Sequence, residues 1–131
     1  MATTTATLTL SSPDLTGDAL SLSTTATLTK AGTVTGLDQF TGIARKTFSS
    51  TSIATLIAKG DYTDDKAHKV YLKNTSTVAT ENLIVTIEAQ LLGRLYAGDW
   101  ALLPFNGDQD IKITPSVSTA VTVEYAVIYE A

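Results

Sequence analysis

Residues 120–130 read AVTVEYAVIYE, and this segment decides the fold class. Successive side chains of a β-strand point to opposite faces of the sheet, so every second residue shares a face. One face of this segment is apolar throughout, because it carries Val121, Val123, Tyr125, Val127 and Tyr129. We therefore predict a long C-terminal strand that lies at the centre of an antiparallel sheet.

Further segments with strand character precede it, at residues 68–74, 83–90, 99–103 and 110–114. Turn-forming clusters such as Asn106-Gly107-Asp108 separate them. No long amphipathic helical pattern interrupts the series, which disfavours a parallel βαβ sheet. Over residues 43–131 the spacing of the strands predicts an all-β fold, an antiparallel β-sandwich of a jelly-roll-like kind.

Residues 52–60 fit two kinds of secondary structure. Ile53, Leu56 and Ile57 fit a short helix capped by Ser52, but the segment also alternates as a strand does. Because β-branched side chains are frequent in this segment, we favour a strand.

The opening residues, 1–42, are rich in threonine. Residues 4–10 read TTATLTL and residues 24–30 read TTATLTK, so one pattern occurs twice at an offset of 20 residues. Two copies are too few for a β-solenoid, which needs about three or more repeats. We predict instead a hairpin of two half-buried strands, followed by a glycine-punctuated connection over residues 31–42. The hairpin is either an arm or a part of the same domain as residues 43–131.

The composition excludes several classes of function. The chain has 24 Thr and 10 Ser, no Cys, nine basic residues and a net charge of −4. Sparse, scattered basic residues oppose nucleic-acid binding, and without cysteine neither a disulfide nor a thiolate metal site can form. The first five residues lack the basic and apolar regions of a signal peptide, and no apolar run reaches the roughly 20 residues of a membrane-spanning helix. We expect a soluble protein made in the cytoplasm, with no nucleic-acid or membrane partner.

His68 is the only histidine, at the start of a predicted strand. A single histidine without cysteine does not favour a transition-metal site. No serine has the glycine pattern of a nucleophile elbow, so a catalytic triad is not indicated either. We predict that His68 lies at the surface or at the strand end, and that the chain has no catalytic residue and no cofactor.

Two acidic clusters resemble metal sites only loosely. Asn106, Asp108 and Asp110 alternate around a glycine but lack the distal glutamate and flanking helices of a calcium-binding EF-hand. A second cluster within residues 61–65 has lysines on both sides, as solvated loops do. We predict a hairpin turn and a solvated loop, and no metal site at either place.

The segment 96–105 contains aromatic residues that are candidates for contact with a partner. Trp100 and Leu102 occupy one face of a predicted strand and Ala101 and Leu103 the other, so both faces are apolar and the strand should be buried on two sides, in the domain interior or at a subunit interface. The predicted N-terminal strands also carry apolar rows that need a covering partner. Our candidate contacts with another subunit or a protein partner are Leu8, Leu10, Leu28, Tyr96 and Trp100.

The C-terminal half, residues 69–130, resembles the head decoration (cement) proteins of tailed bacteriophages and related small virion surface proteins. The resemblance rests on VYLKNTS at 70–76, LGRLYAGDWALLP at 92–104, and DIKIT at 110–114 leading to VEY at 123–125.

In such proteins the first string is a strand that leads into a polar loop, the second is a hairpin followed by a buried strand, and the third forms the closing strands of a sandwich. The resemblance implies a non-enzymatic protein on the capsid surface of the virion, with the major capsid protein as partner. It further implies a homo-oligomer, most plausibly a trimer.

Two other functions remain open at this stage. A carbohydrate-binding or adhesion module shares the fold and the aromatic residues near turns. A small hydrolase on a jelly-roll scaffold is disfavoured, because the only histidine has no evident acidic partners.

Overall fold

The computed structural model describes residues 3–17 and 19–131. The expected absence of a signal peptide rests in part on Met1 and Ala2, and the N-terminal hairpin predicted within residues 1–42 includes Asp18. These parts of the two predictions lie outside the described residues.

The described residues form eleven β-strands and one short 3₁₀ helix, Leu15–Gly17. In chain order the strands are β1 (Thr4–Ser12), β2 (Leu20–Leu28), β3 (Gln39–Phe40), β4 (Ala44–Phe48), β5 (Ala54–Ile57), β6 (His68–Asn74), β7 (Leu83–Ile87), β8 (Gln90–Leu95), β9 (Trp100–Phe105), β10 (Ile111–Pro115) and β11 (Val121–Tyr129).

These strands form three antiparallel sheets, which confirms the predicted all-β, antiparallel class. A four-stranded sheet has the order β5-β10-β7-β8. A five-stranded sheet has the order β9-β6-β11, and both β3 and β4 pair with the far edge of β11. The strands β1 and β2 form a separate two-stranded sheet, so the predicted N-terminal hairpin is confirmed, but β2 is exposed from Ser21 to Thr27 rather than half-buried.

The central position predicted for the C-terminal strand is confirmed, since β11 has neighbours on both sides. On its far edge the pairing is interrupted between β3 and β4. There Thr41 acts in place of a regular strand neighbour: its N–H donates to Val127 O at 3.0 Å, and its hydroxyl oxygen accepts the Val127 N–H at 2.9 Å. The side chain thus satisfies a backbone group that the break in the strand would leave unpaired.

The strand predicted over residues 83–90 is wrong in its extent, because the structure divides this region into β7 and β8. A tight turn separates them, in which Glu88 has a φ of 52°. The left-handed region is uncommon for a residue with a side chain. No glycine, proline or asparagine marks this turn in the sequence, and for that reason the apolar pattern was continuous across it. The strand prediction for residues 52–60 is confirmed by β5.

Both larger sheets contribute side chains to one main hydrophobic core. The alternation is complete in β6, where every second residue from His68 to Asn74 is buried. The buried members of the core are Phe48, Ile57, Val70, Leu72, Leu83, Val85, Leu95, Phe105, Ile111, Ile113, Val121, Val123 and Val127. None of these comes from β1 or β2, so the N-terminal hairpin lies outside the main core.

Candidate functional site

The two faces of the hairpin β1–β2 differ sharply in chemistry. The strands pair from Thr4↔Leu28 at the root to Ser12↔Leu20 at the tip. One face carries only Thr and Ser, in the pairs Thr5↔Thr27, Thr7↔Thr25, Thr9↔Ser23 and Ser11↔Ser21. The opposite face carries the pairs Ala6↔Ala26, Leu8↔Thr24 and Leu10↔Leu22. The hairpin is therefore an amphipathic ribbon, as the period-two sequence pattern predicts.

The Thr/Ser face is exposed and forms hydrogen bonds between the strands. The hydroxyls of Thr7 and Thr25 are 2.9 Å apart, and those of Thr9 and Ser23 are 3.5 Å apart. Pairs of this kind contribute roughly 0.2–1 kcal/mol each to the strand pairing. They hold the ribbon together without any charged side chain.

The root of the Ala/Leu face borders the five-stranded sheet. Thr4 lines a groove of about 300 Å³ together with Leu37, Phe40 and Ile128. At this end Leu28 is buried, with 6% of its surface exposed. Leu28, one of our candidate contact residues, thus packs inside the described chain and offers little surface to a partner.

The middle of the Ala/Leu face borders the outer side of β9. Ala6, Leu8 and Ala26 line a second groove, of about 280 Å³, together with Trp100 and Leu102. The groove is not filled, because Trp100 remains 54% exposed and Leu102 38% exposed. The hairpin and the sheet thus present apolar side chains to the same open space.

The predicted two-sided burial of this strand is therefore wrong for the described chain taken alone. Ala101 and Leu103 pack against the core, as expected. Trp100 and Leu102 point to the other face of the five-stranded sheet, where the chain covers them only in part. We predict that this strand is buried either in the domain interior or at a subunit interface. Burial in the domain interior is wrong for the outer face of the strand, and burial at a subunit interface is not tested by a single chain.

The tip of the hairpin is the most exposed part of its apolar surface. Leu10, Leu15 and Leu22 are 42%, 51% and 44% exposed. An apolar cluster of this kind on a surface is typical of an interaction site. Leu10 is one of our candidate contact residues, and Leu15 and Leu22 are not. The cross-strand pair Leu10↔Leu22 follows only from the register.

Hydrogen bonds fix the root of the hairpin to the end of β11. The Glu130 carboxylate accepts the N–H of Ala31 at 3.0 Å and the N–H of Ala67 at 3.2 Å. Lys66 Nζ lies 3.7 Å from the other carboxylate oxygen. Hydrogen bonding, first from Ala31 and then from Ala67, lowers the pKa of Glu130 below its ordinary value, while burial acts in the opposite direction.

Two further contacts support the same segment. The Lys30 ammonium and the Asp38 carboxylate form an ion pair at 2.8 Å, and the Lys30 hydrogen bond lowers the pKa of Asp38. The Leu37 N–H donates to Leu28 O at 2.9 Å, and Leu37 is buried. The connection predicted as a loop is thus well anchored to the hairpin root and to the C-terminal strand.

Tyr96 and Trp100, the two aromatic candidates, flank a tight turn. The Asp99 carboxylate accepts the Tyr96 N–H at 2.9 Å, and Gly98 adopts a φ of 82° there. Both aromatic side chains are about half exposed, Tyr96 at 53% and Trp100 at 54%. The turn therefore presents two aromatic side chains to solvent from a fixed backbone.

His68 lies at a strand end, as one of our two alternatives predicts, because it is the first residue of β6. The surface alternative is wrong, because the side chain is fully buried. Its Nδ1 accepts the Glu130 N–H at 3.2 Å, and Nε2 lies 2.8 Å from Thr63 O, so the hydrogen-bond network assigns the proton to Nε2. The rings of Tyr62, Phe105 and Tyr129 surround it. Both ring nitrogens are engaged within the chain, which makes this a packing and hydrogen-bonding histidine.

The first of the two acidic clusters, within residues 106–110, forms hydrogen bonds inside the chain. The Asp110 carboxylate accepts the Lys59 N–H at 2.8 Å, and the Asn106 side chain accepts the Asp108 N–H at 3.3 Å. Gly107 sits between them with a φ of 99°, against the backbone of Thr63. Among the residues that the structure describes, no group of three or more His, Cys, Asp and Glu is arranged to hold a metal ion.

Comparison with known proteins gives no match to a protein-family model, a curated protein or a solved structure. Across residues 3–17 and 19–131, no helix has the length and apolar character needed to span a membrane.

Proposed function

We propose that this chain is a non-enzymatic structural protein of a phage virion, which decorates or cements the capsid surface through multivalent protein contacts. It would be made in the host cytoplasm, bind the major capsid protein and act as a homo-oligomer, most plausibly a trimer. The resemblance of residues 69–130 to phage decoration proteins suggests this class.

The observation that carries the proposal is the uncovered apolar surface of the hairpin. A two-stranded sheet alone is at best marginally stable in water, yet this one keeps Leu10 and Leu22 about 40% exposed at its tip. Trp100 adds a half-exposed indole beside the groove at its middle. A protein partner that covers these side chains would remove both the exposed surface and the instability of the ribbon.

The strand connections support a jelly roll as the arrangement of strands β4 to β11, which we call the body. Leaving out β3, the sheet orders are β4-β11-β6-β9 and β5-β10-β7-β8. Successive strands from β4 to β11 alternate between the two sheets, except for the hairpin β7–β8. A double sheet of eight strands wired in this way is the jelly-roll arrangement, which is common in viral capsid and lectin domains. We infer the same sandwich here.

Removing the apolar tip tests the proposal. Replacing Leu10 and Leu22 by serine should weaken co-sedimentation with capsids that lack the protein. Each half-exposed leucine would contribute about 1 kcal/mol on burial, so the double variant should bind roughly 30-fold more weakly per hairpin. Val34→Ser is the matched control, because it removes an apolar side chain that is 94% exposed outside the hairpin.

Circular dichroism would show that each variant keeps its strand content. Deleting residues 1–30 should reduce capsid binding more than it disrupts the body, because the core members all follow residue 47. If the wild type never co-sediments with undecorated capsids, or if the Leu10/Leu22 variant binds as well as Val34→Ser, the decoration proposal is wrong.

A carbohydrate-binding or adhesion module is the second candidate, and one observation favours it. Tyr96 and Trp100 stand half exposed on either side of a rigid turn. Aromatic faces held in this way are suitable platforms for sugar rings. Binding to a glycan array that is lost in Trp100→Ala, together with no capsid binding, would place this function first.

A further inference from the structure

One pentapeptide occurs in both strands of the hairpin and pairs with itself inside the chain. TTATL stands at residues 4–8 and again at 24–28. The register joins Thr4 to Leu28, Ala6 to Ala26 and Leu8 to Thr24. This pairing is symmetric about the Ala6/Ala26 pair, so each strand meets its own sequence running in the opposite direction. The chain itself therefore demonstrates that this sequence is complementary to an antiparallel copy of itself.

The free edge of β2 is accessible and unprotected. All residues from Ser21 to Thr27 are exposed, whereas alternate residues of β1 are partly covered. Exposed edge strands in soluble proteins usually carry a charged residue, a proline or a bulge, which prevents pairing with other chains. Strand β2 has no charged residue and no proline, and its pairing with β1 runs without a bulge.

The distribution of charge favours contact between two copies at the free edge of β2. It also favours an antiparallel over a parallel alignment of the two strands. Because the chain carries a net charge of −4, two copies repel each other over much of their surface. The strands of the hairpin are uncharged, with Asp14 beyond the tip end of β1 and Lys30 beyond the root end of β2. A parallel alignment would place the Asp14 carboxylates of two copies side by side, whereas an antiparallel alignment separates them by about the strand length, roughly 30 Å.

We propose that the hairpin pairs edge to edge with the hairpin of a second copy of this chain, with the two β2 strands antiparallel about a twofold axis. The four strands would then form one sheet, with both Ala/Leu faces on one side and both Thr/Ser faces on the other. This inference goes beyond the proposed function and does not require a capsid.

The contact area determines how strong this pairing is. Eight residues of strand extend over about 27 Å, and a sheet edge is about 10 Å thick, so each copy would bury roughly 270 Å². A standard stable interface buries about 800 Å² per partner. The pairing is therefore weak between free molecules, and it becomes effective where several copies are held close together.

Single cysteines on the Thr/Ser face test the geometry, because the native chain contains none. We would prepare Ser21→Cys, Ser23→Cys, Thr25→Cys and Thr27→Cys, oxidise each alone and in every pairwise mixture, and look for disulfide-linked dimers. In antiparallel pairing, each residue of one copy lies opposite one residue of the other copy, and the residue numbers of every such pair add up to the same total. Disulfides should therefore form rapidly only in the one or two variants or mixtures that meet this total. Thr77→Cys, on an exposed loop, is the control for random collision.

Crosslinking of every position with itself would indicate parallel pairing, and crosslinking at none, or at the Thr77 rate everywhere, would indicate no pairing. Either result overturns the proposal. As a second measurement, sedimentation velocity should show a species of doubled mass that grows with concentration and is lost in Thr25→Lys but not in Thr77→Lys, because a charged side chain on an edge strand opposes its pairing with another strand. If no doubled-mass species forms but capsid binding is intact, the hairpin pairing alone is rejected. If the doubled-mass species forms but the protein does not bind capsids, only the decoration function is rejected.

Discussion

Replacing His68 by alanine should destabilise the protein strongly, although the residue has no predicted catalytic role. The ring is fully buried, and its nitrogens contact the Glu130 N–H at 3.2 Å and Thr63 O at 2.8 Å. Alanine leaves both backbone groups without this partner, at about 1–3 kcal/mol each. It also opens a cavity beside Tyr62, Phe105 and Tyr129. We expect a loss of about 3–5 kcal/mol in the free energy of unfolding, the range seen for truncating buried rings.

Urea denaturation followed by far-ultraviolet circular dichroism measures this loss directly. A domain of ordinary stability unfolds at a cost of about 5–15 kcal/mol, so the variant should still fold but with a much lower midpoint. Thr77→Ala, on an exposed loop, should change the free energy by no more than about 0.5 kcal/mol. A loss below 1 kcal/mol for His68→Ala would refute the reasoning, since it would mean that water or a small rearrangement satisfies both backbone groups.

Two further predictions concern the hairpin root and a turn. Glu130→Gln should destabilise the protein at pH 7, because the pKa of Glu130 is lowered in the folded state. The wild type has this stabilisation in full at a pH above the ordinary glutamate pKa. It loses the stabilisation as the pH falls through the lowered pKa of the folded state. The difference in melting temperature should therefore shrink as the pH falls below the ordinary glutamate value, and a constant difference would contradict this. Gly107→Ala should cost about 3 kcal/mol or more, because an added Cβ would lie 2.5 Å from Thr63 O at a φ of 99°, whereas Gly32→Ala, at a φ of 68° in open space, should cost about 1 kcal/mol. Chemical denaturation compares the two glycine variants, and equal losses would argue against the close contact at Gly107.

The sequence predicts the strands that have one apolar face, and it misses features that depend on the third dimension. The period-two pattern identifies β11 and the hairpin because burial on one face leaves a direct trace in the sequence. The turn at Glu88 leaves no such trace, since a glutamate takes the left-handed conformation there with its N–H bonded to Asp110 O at 2.9 Å. That hydrogen bond comes from a residue 22 positions away, and no local pattern encodes it.

The candidate site shows the same division. Leu8 and Leu10 are evident as members of an apolar row, but Leu22 becomes their neighbour only through the register of the hairpin. The burial of His68 depends on Glu130, a residue far along the chain, and that of Leu28 depends on the connection that returns at Leu37, where no local pattern marks the contact. Trp100 lies on a strand with two apolar faces, and the sequence does not tell which face the chain itself covers.

The attachment of the hairpin bears on how well it can bind. Its root is held by the Glu130 carboxylate, by the Lys30–Asp38 ion pair and by the burial of Leu28 and Leu37. The backbone at the root is therefore ordered before any partner binds. The binding free energy then does not include the entropy cost of ordering it. An apolar surface that is presented in a fixed direction can bind with less area than a flexible arm needs. The same fixed direction means that neighbouring copies on a common surface would present their β2 edges at a constant height, which is the condition under which a weak edge contact becomes effective.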